Sequence, residues 1–128
     1  MSKYLDIFNK SISHKEDFWA EVAKDVIWYQ PFNKVLHTDG RPFYQWFKNG
    51  KINTCYNALD RHVDEGNGER LALIYDSPIT GNKNTYTYSV MRDRVAIIAG
   101  ALKNQGVATG DRVIIYMPMI PEAVMAIL

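Results

Sequence analysis

The sequence predicts an α/β fold, and three observations carry that prediction. Val113-Ile114-Ile115-Tyr116 is apolar on both faces, which a strand covered on both sides requires. A long segment after Thr87 places Met91, Val95, Ile98, Ala99 and Leu102 on one helical face. A proline-led segment from Pro121 then reads as another helix starting up. Strand, helix, strand, helix is how an α/β domain begins, and here an N-terminal stretch of different character precedes it.

Taken in order, Ser13 followed by Glu16 reads as a capping box, and Phe18, Val22 and Val26 recur at helical spacing. A helix over 14–25 is expected. From 27 to 51 the text is rich in Trp, Tyr and Phe but broken by Pro31, Gly40, Pro42 and Gly50, with no sustained period. We read it as an ordered aromatic wrap without regular elements, since rings of that area must pack on something. Asn53 or Thr54 caps a second helix over 55–64, which the polar turn Glu65-Gly66-Asn67-Gly68 ends.

The domain boundary is placed there, giving an extension over 1–68 and a second region over 69–128. Residues 71–75 (LALIY) and 85–87, joined by a loop holding Pro78 and Gly81, predict a β-hairpin. Thr87 caps the amphipathic helix and Gly106 stops it as a C′ glycine. The final apolar helix from Pro121 has no polar stop signal, which leads to the expectation that the chain is cut out of a longer protein.

Composition narrows the function classes. A chain of 128 residues suffices for one domain with a core, and 15 Lys and Arg against 14 Asp and Glu leave a net charge of +1. Those charges are mixed along the chain, so nucleic acid and anionic membranes find no basic block to bind. The single Cys55 forms no internal disulfide and reads as a small core residue, in keeping with a reducing compartment. No stretch matches a signal peptide or a membrane span, so a soluble cytoplasmic protein is expected, with an upstream organelle-targeting segment left open.

The candidate chemical groups each have a plainer role. The stretch 106–111, GVATGD, runs from helix to strand, opposite to a phosphate loop, and is read as a turn. The turn from Met117 to Pro121 has the right polarity, but Glu122 already places a negative charge at that helix start. Asp60, Arg61 and His62 are successive helical residues that point about 100° apart, so they cannot converge on one substrate. His14 and His37 lack ligand-spaced partners and are read as surface residues, while Ser77 and Ser89 lack a paired base. Phe43, Tyr44, Trp46 and Phe47 have only Arg41 and Lys48 as cationic neighbours, too few for stacking nucleic acid bases, and are expected to pack.

At 85–128, TYTYSVMRDRVAIIAGALKNQGVATGDRVIIYMPMIPEAVMAIL closely resembles the opening of the AMP-forming acyl-CoA synthetases. The stretch DFWAEVAKDVIWYQPFNKVL resembles the N-terminal extension of their short-chain branch, the acetyl- and propionyl-CoA synthetases, WFKNGKINTCYNALDRHV resembles the segment leading into its nucleotide-binding domain, and NTCYNALDRHV and ALIYDSPITG lean toward propionyl. The resemblance implies an N-terminal fragment of an adenylate-forming enzyme, with the large domain starting in 69–128. Such an enzyme activates a short carboxylate with ATP and Mg²⁺ to an acyl-adenylate, releases pyrophosphate, and passes the acyl group to coenzyme A. The family's phosphate loop, adenine and acyl pockets and catalytic lysine lie downstream of the matched region, so no catalytic, cofactor-binding or metal residue is assigned within 1–128. The piece is expected to be inactive alone and to have the rest of the synthetase chain as its partner. Val90 departs from the pattern, since family members often have Glu three residues after the capping Thr, and a weaker helix start is expected from it. The competing expectation is a stand-alone, non-catalytic module that binds a partner through its aromatic wrap and apolar C-terminal helix.

Overall fold

A computed structural model describes residues 2–40 and 42–128, and the chain divides into two units, Met1–Asn53 and Thr54–Leu128. In the first, Ser2 caps helix α1 (Lys3–Ser13), its hydroxyl accepting from the Leu5 N–H at 3.4 Å. Tyr4, Leu5, Ile7, Phe8 and Ile12 gather on one face of α1, but none of its residues is buried. Helix α2 (Lys15–Val22) follows at once and tightens into a 3₁₀ turn over Ala23–Asp25.

The expected capping box does not form. Ser13 is the last residue of α1, and its hydroxyl donates back to the Asn9 carbonyl at 2.7 Å, leaving His14 as the first flank of α2 with no side-chain cap. Ser13 is itself helical, in the last turn of α1, so the N-cap position of α2 falls to His14 instead.

The aromatic wrap is more regular than expected, because it contains four short strands. Strand β1 (Trp28–Gln30) pairs antiparallel with β4 (Lys51–Ile52), and β2 (Lys34–His37) pairs antiparallel with β3 (Gln45–Lys48). Strands of two to four residues are too short to show alternation in sequence. They are held by rings: Trp28, Phe32 and Phe47 meet at 5.1 to 5.5 Å between centroids, and the Trp28 indole N–H donates to the Ala23 carbonyl at 2.9 Å. Gly50 is needed there because a Cβ would collide with the Trp28 ring. Phe47 and Asn49 have positive φ, 48° and 66°, which an aromatic residue adopts only when its surroundings over-determine it.

The second unit opens on a helical segment wound as two π turns, Tyr56–Asp60 and Val63–Asn67, where an ordinary helix over 55–64 was expected. Gly66, at φ 83°, breaks the helical geometry inside the polar turn where the stop was placed. The expected hairpin forms from β5 (Leu71–Asp76) and β6 (Lys83–Thr87), with Leu73 opposite Tyr86 and Tyr75 opposite Asn84.

Helix α3 (Tyr88–Asn104) starts and stops where the sequence places it. The Thr87 hydroxyl accepts from the Val90 N–H at 3.3 Å, so half of a capping box forms despite the absent glutamate. At its end, Gly106 N–H donates to the Lys103 carbonyl and Val107 N–H to the Leu102 carbonyl, a Schellman motif with Gly106 at φ 92°.

Helix α4 (Pro121–Ile127) puts proline at its first position and turns Met125 inward. Leu59, Met91, Val95 and Met125 form the buried core, flanked by Leu73, Tyr86 and Ile98 among others. Burial of each such side chain contributes about 2 kcal/mol.

The expected buried strand at 113–116 is corrected. These residues belong to no ladder, and Ile114 and Tyr116 are 91% and 101% exposed. A run apolar on both faces becomes a covered strand only with strands along its edges and layers over its faces, and no described strand pairs with it.

Candidate functional site

Phosphate chemistry needs free backbone amides and a cation, and in the two turns with the right look part of that set is already engaged or missing. In the turn at 106–111, the Asp111 carboxylate accepts from the Ala108 N–H at 2.8 Å, and Asp111 N–H donates to the Ala108 carbonyl at 3.1 Å. The turn is closed by its own side chain. In the turn before α4, Pro118 and Pro121 have no N–H, Ile120 N–H is taken by the Pro118 carbonyl at 2.8 Å, and Glu122 stands in the first helical turn. Neither turn fits a nucleotide phosphate. Among the described residues no three His, Cys, Asp or Glu side chains come together as a metal site, and no step of phosphate or metal chemistry is assigned to these residues.

Asp60 and His62 diverge as their spacing requires. Asp60 faces Cys55, with Sγ 4.0 Å from its carboxylate, while the His62 ring meets Tyr88 at 4.7 Å between centroids, inclined by 45°, and lies 4.0 Å from Glu65. Cys55 is half-buried against the core, and burial first, then the Asp60 charge, pushes its thiol above the ordinary range. It is packed and weakly nucleophilic. Ser77 caps its loop by accepting from the Thr80 N–H at 3.3 Å, and Ser89 sits so tightly on Gly68 that a Cβ there would strike its hydroxyl oxygen.

The aromatic quartet splits. Trp46 and Phe47 join the ring cluster, with Trp46 edge-on to Trp19 at 6.2 Å though itself half exposed, whereas Phe43 and Tyr44 are more exposed; Arg41 lies outside the described residues. Trp19, Trp46 and Phe47 line an open trough of about 260 Å³ in the first unit. In the second, Leu73, Tyr75, Met119, Pro121 and Val124 line part of another of about 270 Å³. The first is apolar, while the second also has Asp76 in its lining, paired with Lys83 at 2.7 Å.

His14 is exposed, as expected, with Nδ1 3.0 Å from the Ser13 hydroxyl. His37 departs from its expected isolation. Its side chain is 19% exposed, Lys48 Nζ donates to its Nε2 at 2.9 Å, and Asp39 Oδ2 lies 3.5 Å from its Nδ1. With Nε2 accepting, the neutral ring carries its proton on Nδ1, the nitrogen that faces Asp39. Sequence spacing hides this group, because Lys48 comes from the opposite strand of a hairpin whose short strands leave no alternation in the sequence.

Two family models divide the chain between them. The acetyl-coenzyme A synthetase N-terminus matches residues 4–58 and the AMP-binding enzyme family matches 59–128. The human acyl-CoA synthetase short-chain family member 3, mitochondrial, is 43% identical over 127 residues, covering 99% of this chain and 18% of that protein. An uncharacterized protein of Pseudomonas aeruginosa is 50% identical, covering 98% of this chain and 20% of its own length. Among solved structures, acetoacetyl-CoA synthetase from Streptomyces lividans superposes with a TM-score of 0.81 at 31% identity, over 98% of this chain and 19% of that one. The chain therefore spans about one fifth of the length of the relatives it matches.

Proposed function

The chain belongs to the AMP-binding enzyme family, with an acetyl-coenzyme A synthetase N-terminus ahead of it, and on that premise we propose that its protein is an ATP-dependent short-chain acyl-CoA synthetase. The single observation that carries the reading is the uninterrupted match of both family models, in that order, over residues 4–128. The reaction joins a short carboxylate to ATP, with Mg²⁺, as an acyl-adenylate and pyrophosphate, and then to coenzyme A as an acyl thioester and AMP.

Propionate is the proposed preferred acid over acetate, supported by the likeness of NTCYNALDRHV and ALIYDSPITG to propionyl-CoA synthetases. Residues 1–128 by themselves are proposed to be inactive. The relatives are about five times longer, and neither turn described above fits a phosphate. The proposed division is an extension over 1–68 and the start of the adenylate-forming domain over 69–128, with the hairpin from Leu71 opening the second part, although the compact units part after Asn53 and the two family models meet at 58 and 59. The proposed setting is cytoplasmic, with no nucleic acid or membrane partner. No helix among the described residues is long and apolar enough to cross a membrane.

The test is to incubate the gene product carrying residues 1–128 with ATP, Mg²⁺, coenzyme A and either acetate, propionate or butyrate, and to quantify AMP and acyl-CoA. Equal amounts of the two products, greatest with propionate, are expected. ADP in place of AMP, or no acyl-CoA from any of the three acids, overturns the reading. A second reading, a non-catalytic partner-binding module, is favoured by the exposed apolar face of α1 and by Ile114 and Tyr116. It predicts a protein that releases neither AMP nor ADP and elutes as a complex.

A further inference from the structure

Asp39, His37 and Lys48 form a line from carboxylate to imidazole to amine, with 3.5 Å and 2.9 Å between the facing atoms. That is the arrangement by which an oriented base prepares a nucleophile, with a lysine amine as the nucleophile. We propose that Lys48 is an acyl-acceptor site, modified by activated short acyl groups, with His37 taking the proton and Asp39 orienting the ring.

Three features support it beyond the distances. When Lys48 is a neutral amine, the N–H that it donates to Nε2 turns its lone pair away from the ring, toward an incoming carbonyl. Phe47, held at φ 48° directly before Lys48, interrupts the strand's alternation, so Lys48 reaches a histidine that regular pleating would place on the other face. Acylation leaves an amide N–H able to donate to Nε2, so the contact with His37 outlasts the reaction.

In the step, the Lys48 ammonium first releases one proton to solvent. The amine nitrogen then attacks the thioester carbonyl, the C–N bond forms, and its proton passes to His37 Nε2. As the carbon–sulfur bond breaks, coenzyme A leaves as a thiolate and takes up that proton, giving an amide and free thiol. An acyl-adenylate donor differs only in its leaving group, AMP. The proposal rests on the synthetase reading only for the cellular source of the donor.

The experiment supplies propionyl-CoA to the whole gene product and follows propionylation of Lys34, Lys48 and Lys51 by peptide mass spectrometry. We expect Lys48 to react roughly 100-fold faster than Lys51, the lower end of the effect of a positioned general base. H37Q should bring Lys48 to the rate of Lys51, and D39N should slow it several-fold. A parallel arm with ATP and propionate but no coenzyme A reports donation from acyl-adenylate. Because the first arm supplies the thioester, it reads Lys48 whether or not the protein makes acyl-CoA, so loss of the synthetase reading and loss of this one are told apart. Equal rates at Lys48 and Lys51, or an H37Q protein that acylates as fast as the parent, overturn the proposal. Asp39 is exposed, so D39N should keep the fold. Should H37Q fail to fold, D39N decides, and an unchanged rate in D39N then counts against the relay.

Discussion

The two units bury their apolar residues in different ways. The first, Met1–Asn53, has only Ala23 and Val35 as buried hydrophobics among its described residues and is held by rings meeting edge to face. The second, Thr54–Leu128, closes an aliphatic core of Leu59, Met91, Val95 and Met125 from three helical segments. Aromatic contact holds a unit of short strands with little burial, while a regular amphipathic helix builds a core around itself. The difference also decides what the sequence can show.

The sharpest way to break the second unit is Met91→Ala. Met91 is 2% exposed at the centre of the core, so about 3 kcal/mol of stability should be lost, read as a lowered denaturation midpoint of the gene product. The matching change in the first unit, Trp28→Ala, removes two ring contacts and the bond to the Ala23 carbonyl. Its half-buried ring should cost less, about 2 kcal/mol, by the same denaturation. A larger loss at Trp28 than at Met91 would reverse the comparison.

Helix ends sharpen it further. Gly106→Ala forces a Cβ onto a φ of 92° and should cost about 1 kcal/mol in thermal unfolding. Thr87→Ala removes a real cap and should cost about 1 kcal/mol as well, whereas Ser13→Ala should stay within about 0.5 kcal/mol because its hydroxyl caps nothing. The smallest effect concerns reactivity. Burial and Asp60 raise the Cys55 pKa, so its thiolate appears only at higher pH, and iodoacetamide at pH 8 should modify it more slowly than a free cysteine. An equal rate would contradict the packed position of Cys55.

Helix α3 was legible from end to end because its signals are local: Thr87 at the start, one apolar face, Gly106 at the stop. Helix α1 carries comparable signals in Ser2 and in Tyr4, Leu5, Phe8 and Ile12, but the Ser13 and Glu16 pattern that follows mimics a helix start and obscures them. Strands β1 to β4 were not legible, since the two-to-four-residue ladders depend on Phe47 and Asn49 adopting positive φ, which only tertiary packing imposes. The relay at His37 was hidden for the same reason, its lysine arriving across a hairpin. Residues 113–116 show the converse, a strand-like text that pairs with no described strand.

The synthetase proposed for the whole protein would activate a short carboxylate as its adenylate. The most direct measurement is the exchange of labelled pyrophosphate into ATP by the whole gene product, without coenzyme A. Exchange that depends on added carboxylate and is fastest with propionate is expected. Exchange independent of any carboxylate, or none with acetate, propionate or butyrate, would contradict the proposal.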